Sequence, residues 1–426
     1  MTQTPAVRQG APELREAMVD RLVADGSVTA AQLEAAMREI PRHVFTPGAD
    51  LETAYAPCEI VRYRTDEHGV CLSSVSAPWI QAEMIEAAGI EEGMRVLEIG
   101  SGGYNAALLS RLVGPCGQVV SVDIDPEAIE RAATGLEAAG AGGVELVLAD
   151  AEYGVPAFSP YDRIIVTVAA WEVPHAWIAQ LAEGGRIVLP LVMRGQQRII
   201  AFERDGAELA GRSMIYGGFV PMQGAGAHRA FAIGFKDAST LHFDEGEPAD
   251  VDELQTVLDS DLVTSGSGVT VARQEPYDSL QLYLAAVLPS TASLVFASPG
   301  AGRDLPDPEA GFPVCVYGGG TIAYVTVRQH GQGEAARFEL VACGLGLNAA
   351  DAAARLRDLM RAWDQELRVE RVQPQVTIAF AGQSVVPGPR RHLLRTKRTT
   401  LVLNYPEPLV EAAGMAEAAA VSGAGA

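Results

Sequence analysis

Lysine is nearly missing from this chain: Lys236 and Lys397 are the two in 426 residues. Its positive charge is almost all arginine, which reads as coding bias and not as a binding device. Positive charge of any kind is scarce, with 32 Lys and Arg against 54 Asp and Glu. The resulting net charge of −22 repels phosphate backbones and anionic lipid, so no nucleic-acid or membrane partner is expected. The five cysteines (Cys58, Cys71, Cys116, Cys315, Cys343) never form a C-x-x-C pair, which excludes a disulfide framework or a zinc site as the reading. No pair of histidines has metal-ligand spacing, and no metal is expected. There is neither a basic start leading into an apolar run nor an apolar stretch of about 18 residues, so a cytoplasmic protein is expected.

What is present is apolar content: 48% hydrophobic residues can fill a large core, expected as two domains, residues 1–227 and 228–405. An Ala/Gly-rich tail, 406–426, carries no turn or cap signal and is expected to be flexible. The first 40 or so residues read as two helices, the second opened by Thr29 with Gln32 in a capping box. From Arg95, short apolar runs alternate with helix-length segments: Arg95–Ile99, Gln118–Asp123, Val144–Ala149, Tyr161–Val168 and Gly185–Leu189. That alternation predicts parallel strands with crossover helices. Two further strands, Gln197–Arg204 and Arg212–Phe219, follow. Beyond them, helices over Val251–Leu258 and Ser279–Val287, strands from Ser293 to Cys343, an amphipathic helix bearing Leu356, Met360 and Trp363, and strands Gln375–Ala381 and Thr399–Tyr405 predict an α+β fold.

Chemistry concentrates around the first strand. Glu98-Ile-Gly100-Ser101-Gly102-Gly103-Tyr104 sets a glycine turn between strand and helix, which presents backbone N–H groups to a nucleotide-like ligand. Asn105 occupies the third-glycine position of a dinucleotide fingerprint, so NAD is disfavoured. Glu98 facing a ligand suits a cation better than a pyrophosphate; the alternative is an ordinary strand-turn-helix. Asp123 ends the next strand where a ribose diol would lie, whereas Asp125, before Pro126, is better explained as an N-cap. Asp150 has the corresponding place for an adenine amino group, or is a turn residue before Gly154.

Together with Tyr161–Ala170, Gln180–Pro190, Gly218–Met222, Arg38–Phe45 and Val75-Ser76-Ala77-Pro78, these motifs resemble the protein-L-isoaspartate O-methyltransferase family over about Ala11 to Gln223. The resemblance implies a Rossmann-like α/β methyltransferase domain, here followed by a smaller α+β domain. It also implies S-adenosylmethionine as cofactor and a peptide carboxylate as acceptor. The family's active-site serine falls on Ser76, which alternatively caps the next helix. Ile124 and Ala151, beside the two carboxylates, join the expected cofactor contacts, and Thr167, Val168 and Ala169 end a strand where an acceptor pocket would lie.

Two departures stand out: the glycine loop is one residue short, and Arg62 to Cys71 replaces a short Gly/Gln segment before Ser-x-Pro. With some 200 residues beyond the usual family end, the chain resembles an extended actinobacterial branch associated with ribosomally made peptides, including lanthipeptide "FxLD" methyltransferases. That implies methylation of an aspartate in a modified peptide, leading to succinimide and then isoaspartate. Repair of isoaspartate in aged proteins is the alternative, and a non-catalytic binding protein a third. The one basic run, Arg390 to Arg398, is either a solvated strand edge or, through Arg391, Arg395 and Arg398, a recruiter of acidic peptide.

Overall fold

A computed structural model describes residues 10–406 except 68, 207, 236–238, 274, 296–313, 370, 381 and 389. It divides into two compact units, one of residues up to Leu191 with Gln197–His228, the other of Val192–Gln196 with residues from Arg229 onward.

The first unit opens with α1 (Ala11–Ala24), α2 (Ala31–Glu39) and α3 (Leu51–Tyr55), followed by a hairpin of β1 (Val61–Thr65) and β2 (Cys71–Val75) and by α4 (Pro78–Ala88). The alternating part is β3 (Arg95–Ile99), α5 (Tyr104–Val113), β4 (Gln118–Asp123), α6 (Pro126–Ala138), β5 (Val144–Leu148), β6 (Tyr161–Val166), α7 (His175–Gln180) and β7 (Leu181–Met193). The pair β8 (Gln196–Asp205) and β9 (Glu208–Tyr216) is antiparallel. Within this unit the strands lie in the order β9-β8-β7-β6-β3-β4-β5, with β3 parallel to both β4 and β6. This is the doubly wound, Rossmann-like α/β arrangement. The residues Val96 to Ile99 are all buried because helices cover both faces of the sheet, which is why the strand reads as an unbroken apolar run around Glu98. Strand order reverses between β3 and β6, and a crevice opens beyond the carboxyl ends of such strands.

Several local expectations are corrected. The helix after Thr29 begins at Ala31, its N-cap is Ala30, and no side chain of its own caps it. Instead the Glu86 carboxylate, from α4, accepts the N–H of Thr29 at 2.8 Å, the N–H of Ala30 at 2.7 Å and the Thr29 hydroxyl at 2.9 Å. A remote acid thus does what the capping box was expected to do. Strand β6 stops at Val166, two residues short of the expected end, and the departure segment Arg62–Cys71 forms most of a hairpin the hydrophobic pattern did not reveal.

The second unit is α+β. It contains β10 (Phe231–Gly234), β11 (Thr240–Phe243), α8 (Val251–Leu254), β12 (Val263–Ala272), α9 (Asp278–Val287), β13 (Thr291–Val295), β14 (Val314–Tyr317), β15 (Thr321–His330), β16 (Arg337–Gly346), α10 (Ala349–Trp363), β17 (Gln375–Phe380), β18 (Arg391–Arg395) and β19 (Thr399–Asn404). Seven of its strands form an antiparallel sheet in the order β10-β11-β13-β14-β15-β16-β12. The apolar stripe of α10, with Leu356, Met360 and Trp363 buried, packs against β12, β15 and β16. Gly318 to Gly320 make the turn between β14 and β15, closed by paired bonds between Gly318 and Thr321. The helix expected over Val251–Leu258 stops at Leu254, and β10, β11 and β12 were not expected, whereas β18 falls in the basic run Arg390–Arg398, where a strand edge was one of the two readings. The tail from 407 lies outside the described residues.

Because Glu86 accepts the N–H of the α2 N-cap, Ala30, and that of Thr29 before it, Glu86→Ala is expected to cost about 1–2 kcal/mol in urea denaturation. Gln32→Ala should change stability by less than about 0.5 kcal/mol, the usual effect of a surface substitution.

Candidate active site

The glycine turn after β3 depends on backbone that a side chain would oppose. Gly100 has φ +93°, and a Cβ there would collide with the hydroxyl of Thr167. That hydroxyl lies 2.9 Å from the carbonyl of Gly100 and 3.1 Å from that of Ile99, so the end of β6 holds the turn leaving β3. Gly103, at φ +81°, is the N-cap of α5, and a Cβ would strike Phe45 and α6.

Asp123 closes the turn from the other side. Its Oδ2 accepts the Ser101 N–H at 2.8 Å and its Oδ1 accepts the Asp125 N–H at 2.8 Å. Burial pushes its pKa up; the N–H bonds from Asp125 and Ser101 pull it down, and the neighbouring Asp125 charge raises it again. Each oxygen keeps a lone pair for a hydroxyl donor, as the ribose reading requires.

Glu98 does not face a ligand directly. It is fully buried behind the turn, where Oε2 accepts the Ser121 hydroxyl, which in turn lies 2.8 Å from the Ser101 hydroxyl. The route from Glu98 to the cleft therefore runs through two serines. Burial pushes its pKa up to about 7, against the Ser121 hydrogen bond, and the Asp123 charge adds to the rise.

These elements wall a cleft that is open to solvent. One wall is Gly100, Ser101 and Gly102 with Asp123, Ile124 and Asp125; Ala151, Thr167 and Val168 continue it. Opposite lie Leu72, Ser73 and Ser74 of the hairpin and Val220, Met222 and Gln223. Ile124 is 38% exposed, an apolar surface suited to a purine ring.

Other expected residues are placed differently. Asp125 is the N-cap of α6, as expected, accepting from Glu127 N–H at 3.0 Å. Asp150 does not line the cleft: its oxygens accept the N–H of Glu152 at 3.0 Å and of Ala225 at 2.7 Å. Ala169 is buried, its backbone paired with Val220 and Met222, and it does not line the cleft. Ser76 is half-buried, is not among the residues that line the cleft, and does not cap α4, whose N-cap is Ala77 with no side-chain bond. Its carbonyl accepts from Arg42 at 2.7 Å. Arg391, Arg395 and Arg398 are exposed in the second unit, on β18 and the turn after it, and do not line the cleft.

Sequence reasoning gave Arg42 no role. Fully buried, it also donates to Ala54 O at 2.8 Å and Gln81 Oε1 at 2.7 Å, and sits 5.0 Å over the Tyr104 ring. Burial lowers its pKa to about 10, which leaves it charged at neutral pH. Its place in the Arg38–Phe45 motif was the available signal. Trp171, stacked on His228 at 3.9 Å, was also missed.

Comparison with known proteins agrees with this geometry. The family model for protein-L-isoaspartate(D-aspartate) O-methyltransferase matches residues 13–226. The chain belongs to the protein-L-isoaspartate O-methyltransferase family. It is 44% identical over 169 residues to a protein-L-isoaspartate O-methyltransferase of Thermotoga maritima, covering 39% of this chain and about half, 52%, of that protein. It is 38% identical over 182 residues to one from Ignicoccus hospitalis, covering 42% and 82% of the two chains. A solved protein-L-isoaspartate O-methyltransferase structure aligns over 85% of this chain and 96% of its own, with 24% identity and a TM-score of 0.47.

The enzyme is an S-adenosylmethionine-dependent methyltransferase, and the residues present fit that cofactor. Glu98 Oε1 is buried without a hydrogen-bond partner directly behind the turn, an arrangement that a nearby sulfonium or ammonium charge would favour. Among the described residues no group of three or more His, Cys, Asp or Glu is placed to hold a metal ion, and no helix is long and apolar enough to cross a membrane.

Asp123→Ala should weaken S-adenosylmethionine binding by about 1–3 kcal/mol in calorimetry, whereas Asp150→Ala should act mainly on stability. The Glu98 proton gives a second test. It is held to about pH 7 when folded against 4.5 for the free group, so the folded state binds it more tightly. The associated stability is complete below about pH 4.5 and lost as pH rises through about 7. Urea denaturation should show Glu98→Gln gaining on wild type across that window, by at most about 3 kcal/mol.

Proposed function

We propose that this enzyme methylates the free carboxylate of isoaspartyl residues in damaged peptides and proteins. The observation that carries the reading is the extent of the family match, 13–226, which takes in the acceptor-side serine segment as well as the cofactor turn.

When bound, S-adenosylmethionine supplies a methyl group on a cationic sulfur, and its transfer to a carboxylate removes one charge of each sign. The chain's own residues need to hold and orient. Asp123 accepts the ribose hydroxyls, and Ile124 and Ala151 flank the base. Gly100 to Gly102 let the backbone approach the cofactor closely. Ser76, fixed through its carbonyl by Arg42, turns its hydroxyl toward the acceptor carboxylate, while Thr167 and Val168 close the wall beside it. No general base is required, because the attacking carboxylate is already ionised at neutral pH. Water displaced from the cleft by bound substrates favours the step, since opposite charges that disappear together are then poorly solvated.

A second reading is methylation of an aspartate in a ribosomally made, modified peptide, with the ester collapsing to a succinimide. It is favoured by the hairpin that replaces the usual segment before Ser-x-Pro and by the whole second unit. In that reading Arg391, Arg395 and Arg398 draw in an acidic peptide, and residues 228–405 select the substrate.

Ser76→Ala should lower kcat on an isoaspartyl peptide at least tenfold with unchanged cofactor affinity; a wild-type rate would remove Ser76 from the acceptor site. Turnover of unrelated isoaspartyl peptides with similar kcat/KM supports repair. If those peptides are inert and charge reversal at Arg391, Arg395 and Arg398 raises KM for a modified precursor, the second reading stands.

A further inference from the structure

The hairpin β1–β2 pairs only with itself in the sheet pattern, and its register is irregular at two places, both beside Arg64. Arg62 pairs with Ser74 and Arg64 with Ser73, so Tyr63 is an extra residue on β1; Arg64 and Thr65 then pair with Ser73 and Cys71, leaving Leu72 extra on β2. Bulges of this kind re-aim side chains.

Here the hairpin reaches two residues that line the cofactor cleft, Asp125 and Gln223. The guanidinium of Arg64 reaches Asp125, with Nη1 3.2 Å from Oδ2, and donates from Nη2 to Gln223 Oε1 at 3.3 Å. Gln223 returns the contact by donating Nε2 to the carbonyl of the bulged Leu72 at 3.2 Å. Farther along α6, Arg131 donates to the Ser73 hydroxyl at 2.9 Å and lies 4.2 Å over the bulged Tyr63 ring. The hairpin is thus tied by polar contacts to both the helix that follows the ribose-binding acid and the segment after β9.

We infer that Arg64 is a positioning residue, a latch that holds the hairpin in place as one wall of the cofactor cleft and whose release widens the cleft for cofactor to enter or leave. The Asp125 carboxylate is 5% exposed and Arg64 39%, so the pair is anchored on one side and open to water on the other. Such half-exposed pairs are modest in strength and sensitive to salt, which suits a contact that breaks in each cycle. A purely structural hairpin would be tied down by apolar burial, whereas β1 buries one of its five residues. The inference concerns the cofactor and does not depend on which carboxylate accepts the methyl group.

The test is rapid-mixing measurement of S-adenosylhomocysteine binding and release by the full chain, with Arg62→Met on the same strand as control. Arg64→Met should speed release about tenfold or more and speed binding as well, so that Kd changes less than either rate. Arg64→Lys should restore part of the wild-type release rate, and raised salt should accelerate release in wild type but not in Arg64→Met. Gln223→Leu cuts the other end of the latch. Its effect should not multiply with that of Arg64→Met in the double variant, and it serves as the test if Arg64→Met fails to fold. Release within twofold of the Arg62→Met control in both single variants, or a loss of affinity arising from slower binding, would overturn the latch.

Discussion

The hydrogen bond from Ser101 N–H to the Asp123 carboxylate is the constraint on which the site depends. It joins the turn leaving β3 to the end of β4 and fixes the backbone at the place where strand order reverses. Thr167 secures the same turn from β6, so three neighbouring parallel strands define one loop. Only glycine at position 100 allows that approach, because any side chain would occupy the space of the Thr167 hydroxyl. The resulting turn leaves N–H groups and an acid facing one cleft, which is what a cationic nucleoside ligand needs.

Charge is arranged around this loop in depth. Asp123 meets the cleft directly, while Glu98 lies behind it and communicates through the Ser121 and Ser101 hydroxyls. Burial raises the Glu98 pKa to about 7, so around neutral pH it is only partly ionised, which lessens the cost of a second buried anion next to Asp123. Positive charges near the cleft are held by partners of the chain itself. Arg42 is spent on three carbonyl or amide oxygens and an aromatic face, and its task is to fix the path of Ser76. Arg64 and Arg131 fasten the hairpin to α6.

The sequence made the parallel core legible. β3 and β4 lie at Arg95–Ile99 and Gln118–Asp123, as the apolar runs predict, since strands covered on both faces need continuous hydrophobicity. The glycine turn, Asp123 and the Asp125 cap were equally readable, because each rests on backbone requirements local to a few residues. Less legible were elements whose reasons are remote. The Arg62–Cys71 hairpin has polar residues on both strands and is held by Asp125, Gln223 and Arg131, all distant in the chain. In β12 the run Val-Thr-Ser-Gly-Ser-Gly lacks a clear apolar alternation and is a strand because β16 pairs with it.

By itself, then, the amino-acid order determined the Rossmann-like α/β core, its cofactor turn and the family, since these follow from local periodicity, glycine conformations and ordered motifs. Tertiary structure alone decided the assignments that depend on competition for partners. Glu86 displaced the Thr29–Gln32 capping box; the backbone of Ala225 and Glu152 claimed Asp150; packing drew Glu98 behind the turn instead of into the cleft. A polar side chain satisfies whichever group the fold brings nearest, and that proximity is set by contacts many residues away.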